Sequence, residues 1–307
     1  MISSKINHGL NGTPDIPGDK SISHRSIIIP CISNGICEVN NYLESDDVLN
    51  TLNAFKSMGV SIINEGGKLI INGRGLNSLK KPNRNIYLGN SGTSARLLIG
   101  LLSSQKFETN LSGDTSLSSR PMKRITKPLS KMNAKIETSN GNLPIKIIGQ
   151  ELSNANIDII IPSAQVKSGL ILAALNTTGV TEIVEHNITR DHTEIMLEAF
   201  GADINIKNQN KKKIIQINGK KELKSKNINV PNDLSSSAFF IVAALINENS
   251  LINMKNININ PTRSGILNQI IILFLISPFN ILGEILNLIL PNNPDLYLDN
   301  IVLARKV

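Results

Sequence analysis

Alternating apolar and polar residues predict three β-hairpins in this chain, and each follows the end of a helix. In the first, residues 54–62 read as a helix end and a strand, and a turn at 65–68 leads into a returning strand at 69–73. The same order recurs in residues 129–149 and 198–219. The landmarks Gly59, Asn133 and Gly201 recur about every 70 residues, which suits a small α/β module and is too long for a solenoid repeat.

A second set of segments is apolar almost all round. Residues 91–102, 163–175 and 235–245 each follow a polar start that can cap a helix. A helix without a polar face is typical of a protein interior, so we expect all three to be buried with their N-termini at a common surface. The sequence therefore predicts a domain with helices inside and sheet outside.

Three polar segments share one pattern, in which a Gly precedes an Arg at a fixed spacing. Glycine permits close backbone approach, the intervening Asp, Asn, Ser or Thr residues can cap a helix, and the arginine adds a forked cation. This arrangement suits phosphate or carboxylate. Three ordinary capped helices with solvated arginines are the alternative, which the shared spacing disfavours. The segments are Gly18 to Arg25, Gly89 to Arg96 and Gly113 to Arg120.

Composition narrows the classes of function. The chain has 307 residues, a net charge of +8 and a pI near 9.4, which favours anionic partners. Aromatic residues make up only 3%, which argues against a base-stacking nucleic-acid surface. We expect Cys31 and Cys37 to be reduced and buried in a cytoplasmic protein. The start of the chain has no signal-peptide pattern, and the apolar stretch at 266–290 is too interrupted to span a membrane.

Other candidate residues carry less weight. His24, His186 and His192 share no metal-ligand spacing, so a core or solvent role is expected and no metal is implied. The lysines at 211–213 and 220–221 flank a returning strand, where we interpret them as a solvated edge that blocks strand pairing.

Six ordered motifs resemble the EPSP synthase family of enolpyruvyl transferases, and together they span residue 17 to about residue 265. They are Pro17-Gly18-Asp19-Lys20-Ser21-Ile22-Ser23-His24-Arg25, Leu88-Gly89-Asn90-Ser91-Gly92-Thr93-Ser94-Ala95-Arg96, Gly113-Asp114 through Arg120-Pro121-Met122, Ser163-Ala164-Gln165-Val166-Lys167-Ser168, Thr189-Arg190-Asp191-His192-Thr193-Glu194 and Asn260-Pro261-Thr262-Arg263.

The resemblance implies an inside-out α/β barrel in which each of two domains contains three βαβαββ units. It implies transfer of the enolpyruvyl group of phosphoenolpyruvate to the 5-hydroxyl of shikimate 3-phosphate, with release of phosphate through a noncovalent tetrahedral intermediate. This activity belongs to the shikimate pathway of aromatic amino acid biosynthesis and requires no cofactor. A cytoplasmic monomer that binds these two small molecules, and neither nucleic acid nor membrane, is expected.

The resemblance also assigns roles to individual residues. The phosphoenolpyruvate positions are Lys20, Gly92, Arg120 and Gln165, with Lys20 also the expected catalytic residue. The glycine at 92 would further make a complete enzyme sensitive to glyphosate. The shikimate 3-phosphate positions are Lys20, Ser21, Arg25, Ser163, Ala164, Gln165 and Arg190, where Ala164 offers only backbone groups.

The family pattern is lost after about residue 267. The segments expected to carry the acid/base aspartate and further basic residues are absent from the 307 residues, which suggests a frameshift or, alternatively, a divergent tail. We expect residues 18–231 to form one complete three-unit domain. Residues 1–17 and 232–307 would form an incomplete second domain, and the chain alone would be inactive.

Two other functions stay open. A UDP-N-acetylglucosamine enolpyruvyl transferase is disfavoured, because that family begins with a Lys-Asn pair and uses a loop cysteine, whereas Ser21 follows Lys20 and residues 109–122 contain no Cys. A noncatalytic anion-binding protein would be favoured if nucleic acid bound more tightly than shikimate 3-phosphate at matched salt.

Overall fold

The computed structural model describes residues 9–209, 212–247 and 249–260. Contacts divide the chain into two compact units, Gly18–Pro231 and a second one made of Met1–Pro17 with Asn232–Val307. The expected loss of the family pattern after residue 267 lies outside the described residues.

The chain contains both helices and strands along its whole described length. The first part of the chain contains β1 (Asn11–Gly12), α1 (Lys20–Cys31), β2 (Asn34–Asn40), α2 (Asp46–Ser57), β3 (Ser61–Glu65) and β4 (Lys68–Arg74). There follow β5 (Ile86–Tyr87), α3 (Gly92–Ser103), β6 (Glu108–Ser112), α4 (Thr115–Ser118), α5 (Lys123–Ser130), β7 (Lys135–Ser139) and β8 (Asn142–Ile148). The remainder contains β9 (Asn156–Ile159), α6 (Ala164–Ala174), β10 (Val180–Glu185), α7 (His192–Ala199), β11 (Asp203–Gln209), β12 (Lys212–Asn218), β13 (Ile228–Asn229), α8 (Leu234–Ile246) and β14 (Leu251–Ile252).

The Gly18–Pro231 unit contains three sheets of one design. Their strand orders are β13-β2-β4-β3, β5-β6-β8-β7 and β9-β10-β12-β11. In each sheet the first two strands are parallel and the other pairs are antiparallel. The predicted α/β fold of repeated βαβαββ units is therefore confirmed, and β13 supplies the first strand of the first repeat.

Left-handed residues end the helix before each hairpin. Gly59, Asn133 and Gly201 have φ values of 85°, 64° and 88°, a conformation that glycine and asparagine adopt at helix C-termini. The hairpin β3–β4 then turns through Gly66 and Gly67, both also at positive φ, which matches the twist of antiparallel strands. The three predicted hairpins are confirmed.

The core of this unit is helical. Helices α1, α3 and α6 bury nearly every residue, including polar ones such as Ser23 and Ser168. Each sheet turns alternate residues inward, as in β8, where Leu143, Ile145 and Ile147 are buried. Among the described cysteines, Cys31 and Cys37 are both unpaired and buried, as expected.

Helices α3 and α6 approach each other through two glycines. A Cβ atom at Gly100 would lie 1.9 Å from the carbonyl oxygen of Gly169, and a Cβ at Gly169 would lie 2.6 Å from the carbonyl oxygen of Arg96. The backbones therefore touch where other residues would keep them apart, and this contact sets the separation of the two helices.

In the second unit, β1 pairs in parallel with β14, and α8 begins at the cap residue Asp233. We expected α8 to be buried, but only Leu234 and Ser237 are, while Phe239 is 79% exposed. Within the described part of this unit the two-stranded sheet is too small to cover a helix on several sides, whereas α3 and α6 lie among other helices and larger sheets. No helix in the described ranges has the length and apolar character needed to cross a membrane.

Candidate active site

Each of the three core helices begins at a capping residue. The side chains of Asp19, Ser91 and Ser163 accept hydrogen bonds from backbone amides one turn into α1, α3 and α6, at 3.0, 3.2 and 3.3 Å respectively. A capped helix start keeps its remaining amides free and carries a partial positive charge, so it attracts anions.

Polar side chains in the first turns connect the three helices in a ring. At least one contact joins each pair, so the three N-termini lie at the same end of the helical core. The contacts are His24 Nδ1 with Ser94 Oγ (3.4 Å), Arg96 Nη1 with Gln165 Oε1 (2.8 Å) and Arg25 Nη2 with Ser168 Oγ (2.7 Å). The expected common surface is thereby confirmed for the helices at 91–102 and 163–175, whereas the third helix of this ring is α1 and not the predicted helix at 235–245.

Arg25 is buried, and each of its three side-chain nitrogens donates one hydrogen bond to a neutral group. Its Nε donates to Thr193 Oγ1 (2.6 Å), its Nη2 to Ser168 Oγ, and its Nη1 to the Ser21 carbonyl oxygen (2.7 Å). Burial lowers the pKa of Arg25 to about 10; Glu194 partly offsets this, and Arg190 lowers it further. The guanidinium is therefore charged at neutral pH.

Ser21 and Arg190 meet beside Arg25. The Nη1 atom of Arg190 donates to Ser21 Oγ at 3.2 Å. The structure therefore brings together three of the residues that the family resemblance assigned to shikimate 3-phosphate, although they come from α1 and from the loop before α7. Two guanidinium groups and a hydroxyl in one place suit a phosphate group.

A second group of arginines surrounds the start of α3. A Cβ atom at Gly92 would lie 2.9 Å from Arg96 Nη1 and 3.1 Å from Arg120 Nη1, so the glycine lies between two guanidinium groups. Burial, and then the charges of Arg120 and Arg124, lower the pKa of Arg96. Clustered cations repel one another, and a bound anion would relieve this repulsion.

Gln165 and Arg120 complete this group. Gln165 accepts from Arg96 and donates from Nε2 to Thr93 Oγ1 at 2.9 Å, which fixes the orientation of its amide. Arg120 donates to Asn90 Oδ1 and to Ser116 Oγ. Three predicted phosphoenolpyruvate residues, Gly92, Arg120 and Gln165, thus lie around Arg96.

Lys20, Ser163 and Ala164 occupy helix starts. Lys20 is the first residue of α1, and its Nζ forms an ion pair with Asp47 Oδ2. Ser163 uses its hydroxyl to cap α6, while Ala164 begins that helix and has only backbone groups to offer a ligand.

The sequence analysis placed Arg96 in an anion-binding segment but did not assign it to a substrate. Arg96 closes the second Gly-to-Arg segment as Arg120 closes the third, and this shared position could have identified it. Arg96 also donates from Nη1 to the carbonyl oxygen of Gly92 at 3.1 Å, so it holds the start of α3 as well as Gln165.

The interpretation of the lysines at 211–213 was wrong for Lys213. Strand β12 lies inside its sheet between β11 and β10, and Lys213 is only 5% exposed. It pairs with Glu194 (3.2 Å) and Asp191 (3.7 Å), which supply the countercharge that a buried lysine requires.

The fold and the site define an α/β protein of repeated βαβαββ units, with an anion-attracting surface where three core helices begin. The sequence model described as EPSP synthase (3-phosphoshikimate 1-carboxyvinyltransferase) matches residues 5–281. The chain belongs to this family, and the resemblance inferred from its motifs is confirmed.

Similar proteins agree with this assignment. The chain is 49% identical over 265 residues to 3-phosphoshikimate 1-carboxyvinyltransferase of Ruthia magnifica subsp. Calyptogena magnifica, covering 86% of this chain and 60% of that protein. It is 45% identical over 262 residues to the Leuconostoc citreum protein of the same name, and this match covers 85% of this chain and 60% of that protein. A solved structure of EPSP synthase from Acinetobacter baumannii is 46% identical, with a TM-score of 0.80, and the match covers 86% of this chain and 59% of that one. The chain thus spans about 60% of the length of the curated relatives it matches.

Proposed function

We propose that this chain supplies substrate-binding groups for 3-phosphoshikimate 1-carboxyvinyltransferase activity. In that reaction the 5-hydroxyl oxygen of shikimate 3-phosphate adds to C2 of phosphoenolpyruvate while C3 gains a proton. Loss of phosphate and of a C3 proton then gives 5-enolpyruvylshikimate 3-phosphate. The observation that carries the proposal is the convergence of three capped helix starts, with two groups of arginines beside them.

The two arginine groups suit the two substrates. Ser21, Arg25 and Arg190 would hold the phosphate of shikimate 3-phosphate, together with the α6 start at Ser163, Ala164 and Gln165. The second group, of Gly92, Arg120 and Gln165, would hold phosphoenolpyruvate, and Arg96 adds a guanidinium to it. Fixed donors at the two anions would bring the reacting atoms together and stabilise charge that develops between them.

Lys20 is the proposed catalytic residue of this chain. As the first residue of α1 it lies at a helix start, and its ion pair with Asp47 keeps an ammonium group near the capped end of that helix. A bound phosphoenolpyruvate would compete with Asp47 for this ammonium. When Lys20 exchanges Asp47 for the substrate, its ammonium group would lie beside the reacting atoms and could donate a proton to them.

Gly92 would permit close approach of phosphoenolpyruvate to the α3 backbone. A methyl group at this position would press on Arg96 and Arg120, so the proposed glyphosate sensitivity of the complete enzyme depends on the same glycine. We further propose a cytoplasmic, cofactor-independent monomer. The two buried, unpaired cysteines support a reducing compartment.

Calorimetry with shikimate 3-phosphate tests the proposal. Arg190→Ala should weaken binding roughly tenfold or more, since a charge-assisted hydrogen bond to phosphate is lost. Arg84→Ala removes an exposed loop arginine of the same unit and should bind like the unaltered chain.

Competing ligands separate the alternatives. UDP-N-acetylglucosamine and a short DNA duplex, titrated at the same salt concentration, should both bind more weakly than shikimate 3-phosphate. Tighter binding of either one, or equal binding by Arg190→Ala and the unaltered chain, would contradict the proposed function.

A further inference from the structure

Five charged side chains form a buried ionic cluster beneath the loop that carries Arg190. Lys167 and Glu194 have side chains that are 0% exposed, and those of Glu185 and Lys213 are almost as buried. Asp191, partly exposed, completes the cluster. The members come from α6, β10, α7, β12 and the loop before α7.

The contacts within the cluster converge on two lysines. Lys167 Nζ lies 2.8 Å from both Glu185 Oε2 and Glu194 Oε1. Lys213 Nζ lies 3.2 Å from Glu194 Oε1 and 3.7 Å from Asp191 Oδ2. Glu194 thus bridges the two lysines, so a displacement of one lysine changes the position of the other.

The cluster holds the chain on both sides of Arg190. Before it, Thr189 donates from Oγ1 to Glu185 Oε1 (2.5 Å), and the Thr189 carbonyl oxygen accepts from Lys167 Nζ (3.2 Å). After it, the carboxylate of Asp191 faces Lys213. The backbone that carries Arg190 is therefore held by two hydrogen bonds of Thr189 to the cluster and by the ion pair of Asp191 with Lys213.

Lys167 also connects this loop with the start of α6. It lies one turn into the helix that begins at Ala164, and its amide donates to the Ser163 carbonyl oxygen at 3.0 Å. The same side chain therefore ties Thr189 to the helix whose start carries Ser163 and Gln165. Desolvation offsets much of the stability that a buried ion cluster supplies, whereas its geometric constraint is retained.

We propose that Lys167 and Lys213 are positioning residues for Arg190, which they direct toward Ser21 and the phosphate of shikimate 3-phosphate. The inference rests on the proposed function of Arg190. Neither lysine contacts the ligand; each acts through the 189–191 segment.

A double-mutant cycle tests the role of Lys213. Lys213→Met should weaken binding of shikimate 3-phosphate roughly tenfold in the 307-residue chain, because the ion pair between Lys213 and Asp191 is lost and the loop relaxes. The same substitution in the Arg190→Ala background should change binding by less than about twofold, because the group it positions is already absent. General destabilisation would weaken both backgrounds alike.

Matched variants control for folding. Lys212→Met removes the exposed neighbour on β12 and should leave binding unchanged. Should Lys213→Met fail to fold by circular dichroism, Thr189→Val retains every charge, removes the hydroxyl bond to Glu185 and is expected to show the same coupling to Arg190.

The outcomes separate the two proposals. Equal binding by Arg190→Ala and the unaltered chain would overturn the proposed function and the positioning role with it. Weak binding by Arg190→Ala, together with tight binding by folded Lys213→Met or Thr189→Val, would overturn the positioning role alone.

Discussion

His24 is a buried, uncharged member of the polar contacts behind the anion site. Its Nδ1 atom lies 2.8 Å from Thr51 Oγ1 and 3.4 Å from Ser94 Oγ, while Nε2 has no hydrogen-bond partner among the described residues. Burial, followed by the positive charge of Arg25, lowers the pKa of His24 from 6.5 to about 3. The imidazole therefore connects α1, α2 and α3 as a neutral group.

The lowered pKa predicts a loss of stability in acid. Between pH 6.5 and 3 the unfolded chain protonates His24 and the folded chain does not, so the free energy of unfolding falls as the pH falls below 6.5. At pH 5 the protonation of His24 in the unfolded chain lowers the free energy of unfolding by about 2 kcal/mol. His24→Asn, which keeps an amide near the Nδ1 position, should lose less stability between pH 7 and pH 5 in urea denaturation. Parallel losses in both proteins would contradict the assigned pKa.

At the scale of elements, the glycine contact between α3 and α6 sets the geometry of two helix starts. Gly100→Ala brings two opposing effects. Alanine favours the helix by about 1 kcal/mol, but a Cβ 1.9 Å from the Gly169 carbonyl oxygen forces the helices apart. Overpacking of this kind costs about 1 to 3 kcal/mol, so a net loss of stability is expected.

Gly169→Ala provides the matched comparison. Its Cβ would lie 2.6 Å from the Arg96 carbonyl oxygen, a milder clash than that at Gly100. In thermal unfolding, Gly100→Ala should therefore have the lowest melting temperature, Gly169→Ala an intermediate one and the unaltered chain the highest. A Gly100→Ala protein as stable as the unaltered chain would show that the helices separate without cost.

The helices and strands were largely predictable, because hairpin turns, helix caps and apolar helices are determined by residues that are close in sequence. The left-handed Gly59, Asn133 and Gly201 each end a helix locally, and Asp19, Ser91 and Ser163 each begin one. Lys213 was not predictable, because its burial depends on Glu194 from another element. The exposure of α8 was equally hidden, since an apolar sequence does not specify which surfaces are available to cover it.

The chain divides into its two units at residues 17–18 and 231–232. These boundaries are far apart in sequence but close together in the fold. Asp19 N donates to the Pro231 carbonyl oxygen at 2.8 Å, so the two ends of the Gly18–Pro231 unit meet. Limited chymotrypsin digestion should cut early at Phe239, which is 79% exposed, and spare Phe55 and Leu172 in the core. Mass spectrometry should find a resistant fragment that retains residues 18–231. Early cleavage at Leu172 would contradict the assignment of a single closed domain.

The pairing of β13 with β2 has a consequence for protein synthesis. Asn41 and Val230, which are bonded beside this pair, are 189 residues apart, whereas the strands of the second and third sheets are much closer in sequence. While the chain emerges from the ribosome, these two sheets can form in turn, but β2 keeps an open edge until residue 228 appears. Open strand edges pair readily with other chains. The nascent protein therefore exposes this unpaired edge of β2 until β13 has been synthesised, so a chaperone that covers β2 during this interval would prevent its pairing with other chains.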